Sequence, residues 1–132
     1  HRVVERLLGV LDRFRSDRYA VHRCLQCLCS LAERDAGCVD RALDSAAAPH
    51  AVGALANFPR DEQVQLLGCR LLGRLFLRAR EVSVHGPRVV LLGRGLDELW
   101  TLRAVDRLLG AMRAFPLDAR LQLECSQTLS SL

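Results

Sequence analysis

The sequence predicts an all-α fold built from about three copies of one helical unit. Three observations predict it. The apolar half of the chain is mainly leucine, alanine and valine, with no isoleucine and only 5% aromatic residues. Leucine and alanine favour helix, and few segments alternate as a half-buried strand would. NFPRDEQVQLLGCRLLGRL (57–75) and AFPLDARLQLECSQTLSSL (114–132) align without a gap. Aligning on phenylalanine recovers a third copy, with VVERLLGVLDRF ending at Phe14 beside AAPHAVGALANF at Phe58 and AVDRLLGAMRAF at Phe115.

The first helix of each unit runs up to its phenylalanine. Leu7, Val10, Leu11 and Phe14 are spaced by three, four and seven, which traces one helical face. A bulky apolar residue stands three before each phenylalanine, at Leu11, Leu55 and Met112. A glycine stands five before it, at Gly9, Gly53 and Gly110. Glycine costs about 1 kcal/mol in a helix interior relative to alanine, so its recurrence predicts close approach of a neighbouring helix.

A tight turn follows. Pro59 and Pro116 help end the first helix in two copies, and Asp17, Asp61 and Asp118 stand ready as N-caps of the second. Leucines then recur eleven and fourteen residues past the aspartate: Leu28 and Leu31, Leu72 and Leu75, Leu129 and Leu132. A shorter third helix is predicted ahead of each later pair, around CVDRALDS (38–45) and around PRVVLLGR (87–94). The phenylalanines lie 44 and then 57 residues apart. The longer interval places extra residues within REVSVHGPRVV, with Gly86-Pro87 as a turn and His85 in a loop.

This unit resembles the armadillo-like family of armadillo and HEAT repeats over nearly the whole chain; the period suits either, and the third helix favours armadillo. The resemblance implies one helical-repeat domain over 1–132, with units near 1–35, 36–80 and 81–132. It further implies a right-handed superhelix of stacked helices, whose last helices line a concave groove. A single unit cannot bury its apolar stripe alone, so stacking supplies the stability. The chain starts within one unit and stops at the last leucine of another, without a polar capping repeat, as a fragment of a longer array would.

Positions two, six, nine and thirteen after each aspartate share one face of the second helix. They are Tyr19, Arg23, Gln26 and Ser30; then Gln63, Leu67, Arg70 and Arg74; then Arg120, Glu124, Gln127 and Ser131. Apart from Leu67 and Ser131 these form the candidate partner-binding row. The nuclear-import adaptors of the armadillo family carry a tryptophan–asparagine ladder along the groove. Here the asparagine positions hold Ser30, Arg74 and Ser131, and the tryptophan positions hold Gln26, Arg70 and Gln127. That ladder is absent. Arg70 and Arg74, one turn apart, would repel a basic peptide and suit an acidic or phosphorylated one.

The net charge is +4, and every counted cation is arginine, so no lysine chemistry is available. Acidic and basic residues are interleaved rather than blocked. The six cysteines, at 24, 27, 29, 38, 69 and 125, make a poor disulfide framework. With no apolar run near 18 residues, they predict a reducing intracellular setting, cytoplasmic or nuclear, and no membrane contact.

HRCLQCLC (22–29) contains one histidine and three cysteines. On a helix Cys24 and Cys27 are neighbours, but His22 and Cys29 point away, so four ligands do not converge there. No metal is expected. His1, His22, His50 and His85 are isolated, which leaves Cys24 or Cys29 without a histidine–acid pair for nucleophilic catalysis. Asp97 and Glu98 are adjacent and so point apart on a helix, fitting N-terminal helix charge. No phosphate-binding or nucleophile-elbow motif occurs, and Trp100 reads as inter-helix packing. Neither a cofactor nor a catalytic residue is predicted. The function expected is a non-catalytic protein-interaction or scaffold segment of a larger intracellular protein. Two alternatives are a nucleic-acid-binding repeat using Arg74, Arg78 and Arg80, and a regulatory repeat region attached to an enzyme such as a kinase or ubiquitin ligase.

Overall fold

The computed structural model describes residues 2–85 and 98–130, with side chains over 2–81 and 102–130. Helices α1 (Val3–Arg13), α2 (Arg18–Arg34), α3 (Ala36–Asp44), α4 (Ala47–Asn57), α5 (Glu62–His85), α6 (Glu98–Ala114) and α7 (Ala119–Ser130) follow in order. Among the described residues there is no strand. The all-α expectation holds. The helix expected at 87–94 lies outside the described residues, as do His1, Asp97, Ser131 and Leu132. His85, expected in a loop, is instead the last residue of α5.

The Phe-x-x-Asp stretch builds the same turn three times. The N–H of Phe14 donates to Val10 O (2.9 Å), that of Phe58 to Ala54 O (3.1 Å) and that of Phe115 to Ala111 O (3.0 Å), closing the first helices. Three residues on, the aspartate N–H returns to the phenylalanine carbonyl: Asp17 to Phe14 (2.9 Å), Asp61 to Phe58 (3.2 Å), Asp118 to Phe115 (3.2 Å). The aspartate carboxylates then cap the second helices. Asp17 Oδ1 accepts from the N–H of Tyr19 and Ala20, Asp61 Oδ1 from Val64 and Asp118 Oδ1 from Leu121. Each such cap satisfies a donor the helix cannot pair internally and stabilises by about 1 kcal/mol.

A glutamine locks two of the turns. Gln65 Nε2 donates to Leu55 O (3.0 Å) and Phe58 O (2.8 Å); Gln122 Nε2 donates to Met112 O (2.9 Å) and Phe115 O (3.0 Å). Both stand four residues after the capping aspartate. The first unit has buried Val21 there.

α5 packs against α2, α3, α4 and α7, so the core gathers around it. Leu72 and Leu75 are fully buried, Leu28 is buried, and Leu31 and Leu129 pack half-buried against the same cluster. The short α3 occupies 36–44 rather than 38–45, because Asp35 ends α2 and at once caps α3 through Gly37 N–H (2.8 Å). Ala46, at φ 59°, then turns the chain left-handed into α4.

The repeated glycines do not mark close helix approach. A Cβ at Gly9, Gly53 or Gly110 would meet nothing within 4 Å. The intimate contacts fall instead at Gly68, where a Cβ would lie 2.6 Å from Leu55 Cδ2, and at Gly73, 2.6 Å from Thr128 Oγ1. Gly9 and Gly110 are exposed, and Gly53 lines two of the surface cavities beside α4. The second helices do the close packing.

Candidate functional site

α2, α5 and α7 lie side by side with α5 in the middle. The candidate row crosses all three. On α2, Tyr19, Arg23, Gln26 and Ser30 are exposed. The Arg23 guanidinium lies 5.4 Å from the Tyr19 ring centroid and donates to Gln26 Oε1 at 3.2 Å. On α5, Gln63 and Arg74 are exposed and Arg70 is half-buried. On α7, Arg120 and Gln127 are exposed and Glu124 is half-buried. Leu67, which the spacing put on this face, is buried. It lies at the seam with α2, where its carbonyl accepts from Cys29 Sγ at 3.3 Å.

Neighbouring helices are joined across the row by charge. Arg70 Nε donates to Glu124 Oε1 at 3.2 Å, linking α5 to α7. Arg74 Nη2 stands 3.8 Å from Glu33 Oε1, linking α5 to α2. A cleft of about 230 Å³ opens between α5 and α7, lined by Arg70, Gly73, Arg74, Leu77, Glu124, Gln127 and Thr128. Its wall combines the two guanidiniums with one carboxylate and one exposed leucine. A guanidinium has five N–H donors, so each arginine keeps donors beyond its carboxylate contact.

The alternative arginine cluster is compensated as well. Arg78 forks onto Asp40 (2.9 and 3.1 Å) and reaches Glu81 at 3.3 Å. These hydrogen bonds, Asp40 first, push the Arg78 guanidinium above its ordinary range. Arg74 faces Glu33. A phosphate backbone would meet carboxylates beside these cations rather than a bare basic stripe.

The cysteine-rich stretch divides by side. Cys24 and Cys29 are buried and Cys27 is exposed. Burial pushes the Cys29 thiol up to about 12, far from a reactive thiolate at neutral pH. Cys69 and Cys125, both buried, meet across the α5–α7 seam with their sulfurs 3.3 Å apart. The hydrogen bond with Cys125, then burial, holds Cys69 well above the ordinary thiol range. Among the described residues, no three His, Cys, Asp or Glu side chains gather to hold a metal. Nor is any described helix long and apolar enough to cross a membrane. Glu98 and Trp100 lie in the first turn of α6, and their side chains fall outside the described set.

Sequence spacing missed the contacts between units. Arg18 pairs with Asp61, the cap of the next unit's second helix. Glu62, the residue equivalent to Arg18, faces Asp118 and hydrogen bonds to it. The one overlooked signal was the glutamine four after the aspartate in two of three copies. No protein-family model, curated protein or solved structure matches this chain.

Proposed function

We propose that this chain is a non-catalytic protein-interaction segment of an armadillo-like solenoid, serving as a scaffold within a larger intracellular protein. The observation that carries the reading is the turn. Three Phe-x-x-Asp turns with matching hydrogen bonds join three helix pairs, and the second helices of those pairs lie in a row. A row of like units extends by stacking and presents a long, repetitive surface, which suits a polypeptide partner better than a small substrate.

The partner surface is the row Tyr19, Arg23, Gln26, Ser30, Gln63, Arg70, Arg74, Arg120, Glu124 and Gln127. The guest is a protein segment, acidic or phosphorylated, that docks with the N–H groups of Arg70 and Arg74 left over from their contacts with Glu124 and Glu33. Affinity capture with the 132-residue chain, repeated with Arg23→Glu and Arg74→Glu, tests this site. Both side chains are exposed, so the thermal melt stays unchanged while capture of the same partners falls at least about tenfold, near 1.4 kcal/mol. Equal capture by the variants would overturn the assignment.

A further inference from the structure

Cys69 stands on α5 and Cys125 on α7, 56 residues apart along the chain, yet their sulfurs lie 3.3 Å from each other. Both side chains are inaccessible, at 0% exposure. The way this seam closes explains the contact. Gly73, one turn after Cys69, has no Cβ, and Thr128 Oγ1 lies 2.6 Å from the place a Cβ would take. Thr128 is itself one turn after Cys125, and its hydroxyl sits 3.4 Å from the Cys69 carbonyl. The helices are thus tight together over the turn that carries both thiols.

The repeat does not require this pair. Cys69 is eight residues past Asp61 and Cys125 seven past Asp118; at the α2–α5 seam the same two positions hold Leu25 and Gly68. That seam closes without sulfur. A thiol is a weak donor and a weak acceptor, so two of them facing each other add little to packing. What they add is chemistry, because a sulfur oxidised to sulfenic acid is captured by a thiol beside it. Buried Cys29 has no such neighbour in its contact, since its thiol donates to Leu67 O. The hydrogen bond between Cys69 and Cys125 also divides their roles. It draws Cys125 below the ordinary thiol value, against burial that raises it, and holds Cys69 above, so Cys125 is the sulfur that ionises first.

We propose that Cys69 and Cys125 form an oxidation site, joined by a peroxide into a reversible disulfide that ties α5 to α7 beside the Arg70–Glu124 cleft. The Cys125 thiolate attacks the O–O bond of hydrogen peroxide and keeps one oxygen as sulfenic acid; the other leaves as hydroxide and takes up the proton Cys125 released. The Cys69 thiol then attacks that sulfur, and the sulfenic oxygen departs as a second water with the Cys69 proton. Two thiols and one peroxide become one disulfide and two waters, the sulfurs giving up the two electrons the peroxide gains. A small oxidant reaches the pair as the seam opens locally. The cleft of about 230 Å³ lies at that seam, lined by Thr128 and by Arg70 and Glu124, the residues next to each cysteine. The bond fixes the sulfurs at about 2.05 Å, so the two walls of the cleft are clamped. A single bond of this kind suits a reducing compartment, where disulfides are transient and redox-sensing. It needs no guest on the partner row, so it stands whether or not that row binds a protein.

Hydrogen peroxide added to the native 132-residue chain tests this, with exposed Cys27 as the internal sign that the oxidant has acted. After unfolding and alkylation of the remaining thiols, trypsin releases peptides 61–70 and 121–132, each with one cysteine. By the time Cys27 is consumed, the greater part of these two peptides travels as one species, two hydrogens lighter than their sum, and dithiothreitol separates them again. In Cys27→Ser, which cannot cross-link through that exposed site, the oxidised chain melts at least about 5 °C above the reduced one. Cys125→Ala removes the linked species and the shift, and leaves Cys69 open to alkylation. The peptide map of the parent chain decides the matter without relying on that variant's folding. Cys69 and Cys125 recovered as alkylated thiols once Cys27 is consumed, or as sulfinic acids, or bonded to other cysteines, would overturn the proposal. So would a linked chain that melts no higher than the reduced one.

Discussion

Gln65 is 2% exposed and commits both amide hydrogens to carbonyls at the end of the preceding helix. Those carbonyls belong to the last turn of α4 and to Phe58, where the helix cannot pair them itself. Phe58 O keeps the Asp61 N–H, but removing the amide leaves the Leu55 carbonyl without that donor, and a buried unpaired acceptor costs about 1–3 kcal/mol. Gln65→Leu, close in volume, is therefore expected to lower unfolding free energy by about 1–3 kcal/mol in a urea titration, with unchanged slope. Gln122→Leu makes the same loss at a half-buried site, where water replaces part of the bond, so its effect is smaller. Val21→Gln, the reverse change in the first unit, does not recover the difference elsewhere. If Gln65→Leu and Gln122→Leu cost equally little, the amide bridge is not what fixes the turn.

At the scale of the helix, glycine and charge both separate sites that alignment treats alike. Gly9 and Gly110 are exposed in helix interiors with open space at the Cβ position. Alanine there lowers the entropy lost on folding, so Gly9→Ala and Gly110→Ala each add about 0.5–1 kcal/mol. Gly73→Ala does the opposite, because its Cβ would press on the buried Thr128 hydroxyl; about 1–3 kcal/mol is lost to overpacking. Guanidinium titrations of the three variants check the split in sign. At the junctions, the residue after one cap meets the cap of the next unit: Arg18 with Asp61 is attractive, Glu62 with Asp118 is not. The hydrogen bond to Asp118 raises the Glu62 pKa, and its counterpart lowers that of Asp118. Glu62 thus contributes stability that is present below the ordinary carboxyl range and lost as the pH rises through its folded pKa. The Asp118 contribution is present above its ordinary value and lost as the pH falls through its lowered one. Glu62→Gln keeps a donor for Asp118 without the second negative charge. Its melting temperature should exceed that of the parent at pH 7, and the gap should close by about pH 3, where Glu62 is protonated and donates to Asp118 as the amide does.

At the scale of the molecule, what the sequence made legible is what lies close along the chain. The turn, its capping aspartate and the helix on either side are local, and Phe14, Phe58 and Phe115 occupy matching places at the ends of α1, α4 and α6. The outward row was legible in part. Helical spacing put Arg70 and Arg74 on an accessible face, but Leu67, in the same register, fell at the α2 seam. A residue's place around its own helix follows from spacing; its neighbour across a seam does not. Glu124 lies 54 residues from Arg70, and Asp61 lies 43 from Arg18, separations that no local pattern links. The recurring glycine misled for the same reason, since its meaning depended on the distance to another helix. Those seams also decide how the fold comes apart. α5 is the helix flanked on both sides by a second helix, and Leu71, Leu72 and Leu75 on it are essentially inaccessible. In a row of units, local opening begins at the uncovered ends and must break two seams to free the middle. Amide exchange in native buffer should therefore be slowest over residues 64–76 and fastest over α1 and the end of α7. Leu72→Ala, which costs about 2–5 kcal/mol, should speed exchange in α2, α5 and α7 together, whereas Leu8→Ala should speed α1 well ahead of α7. Equal protection in every helix would mean that the chain opens as one block and that its units do not behave as a row.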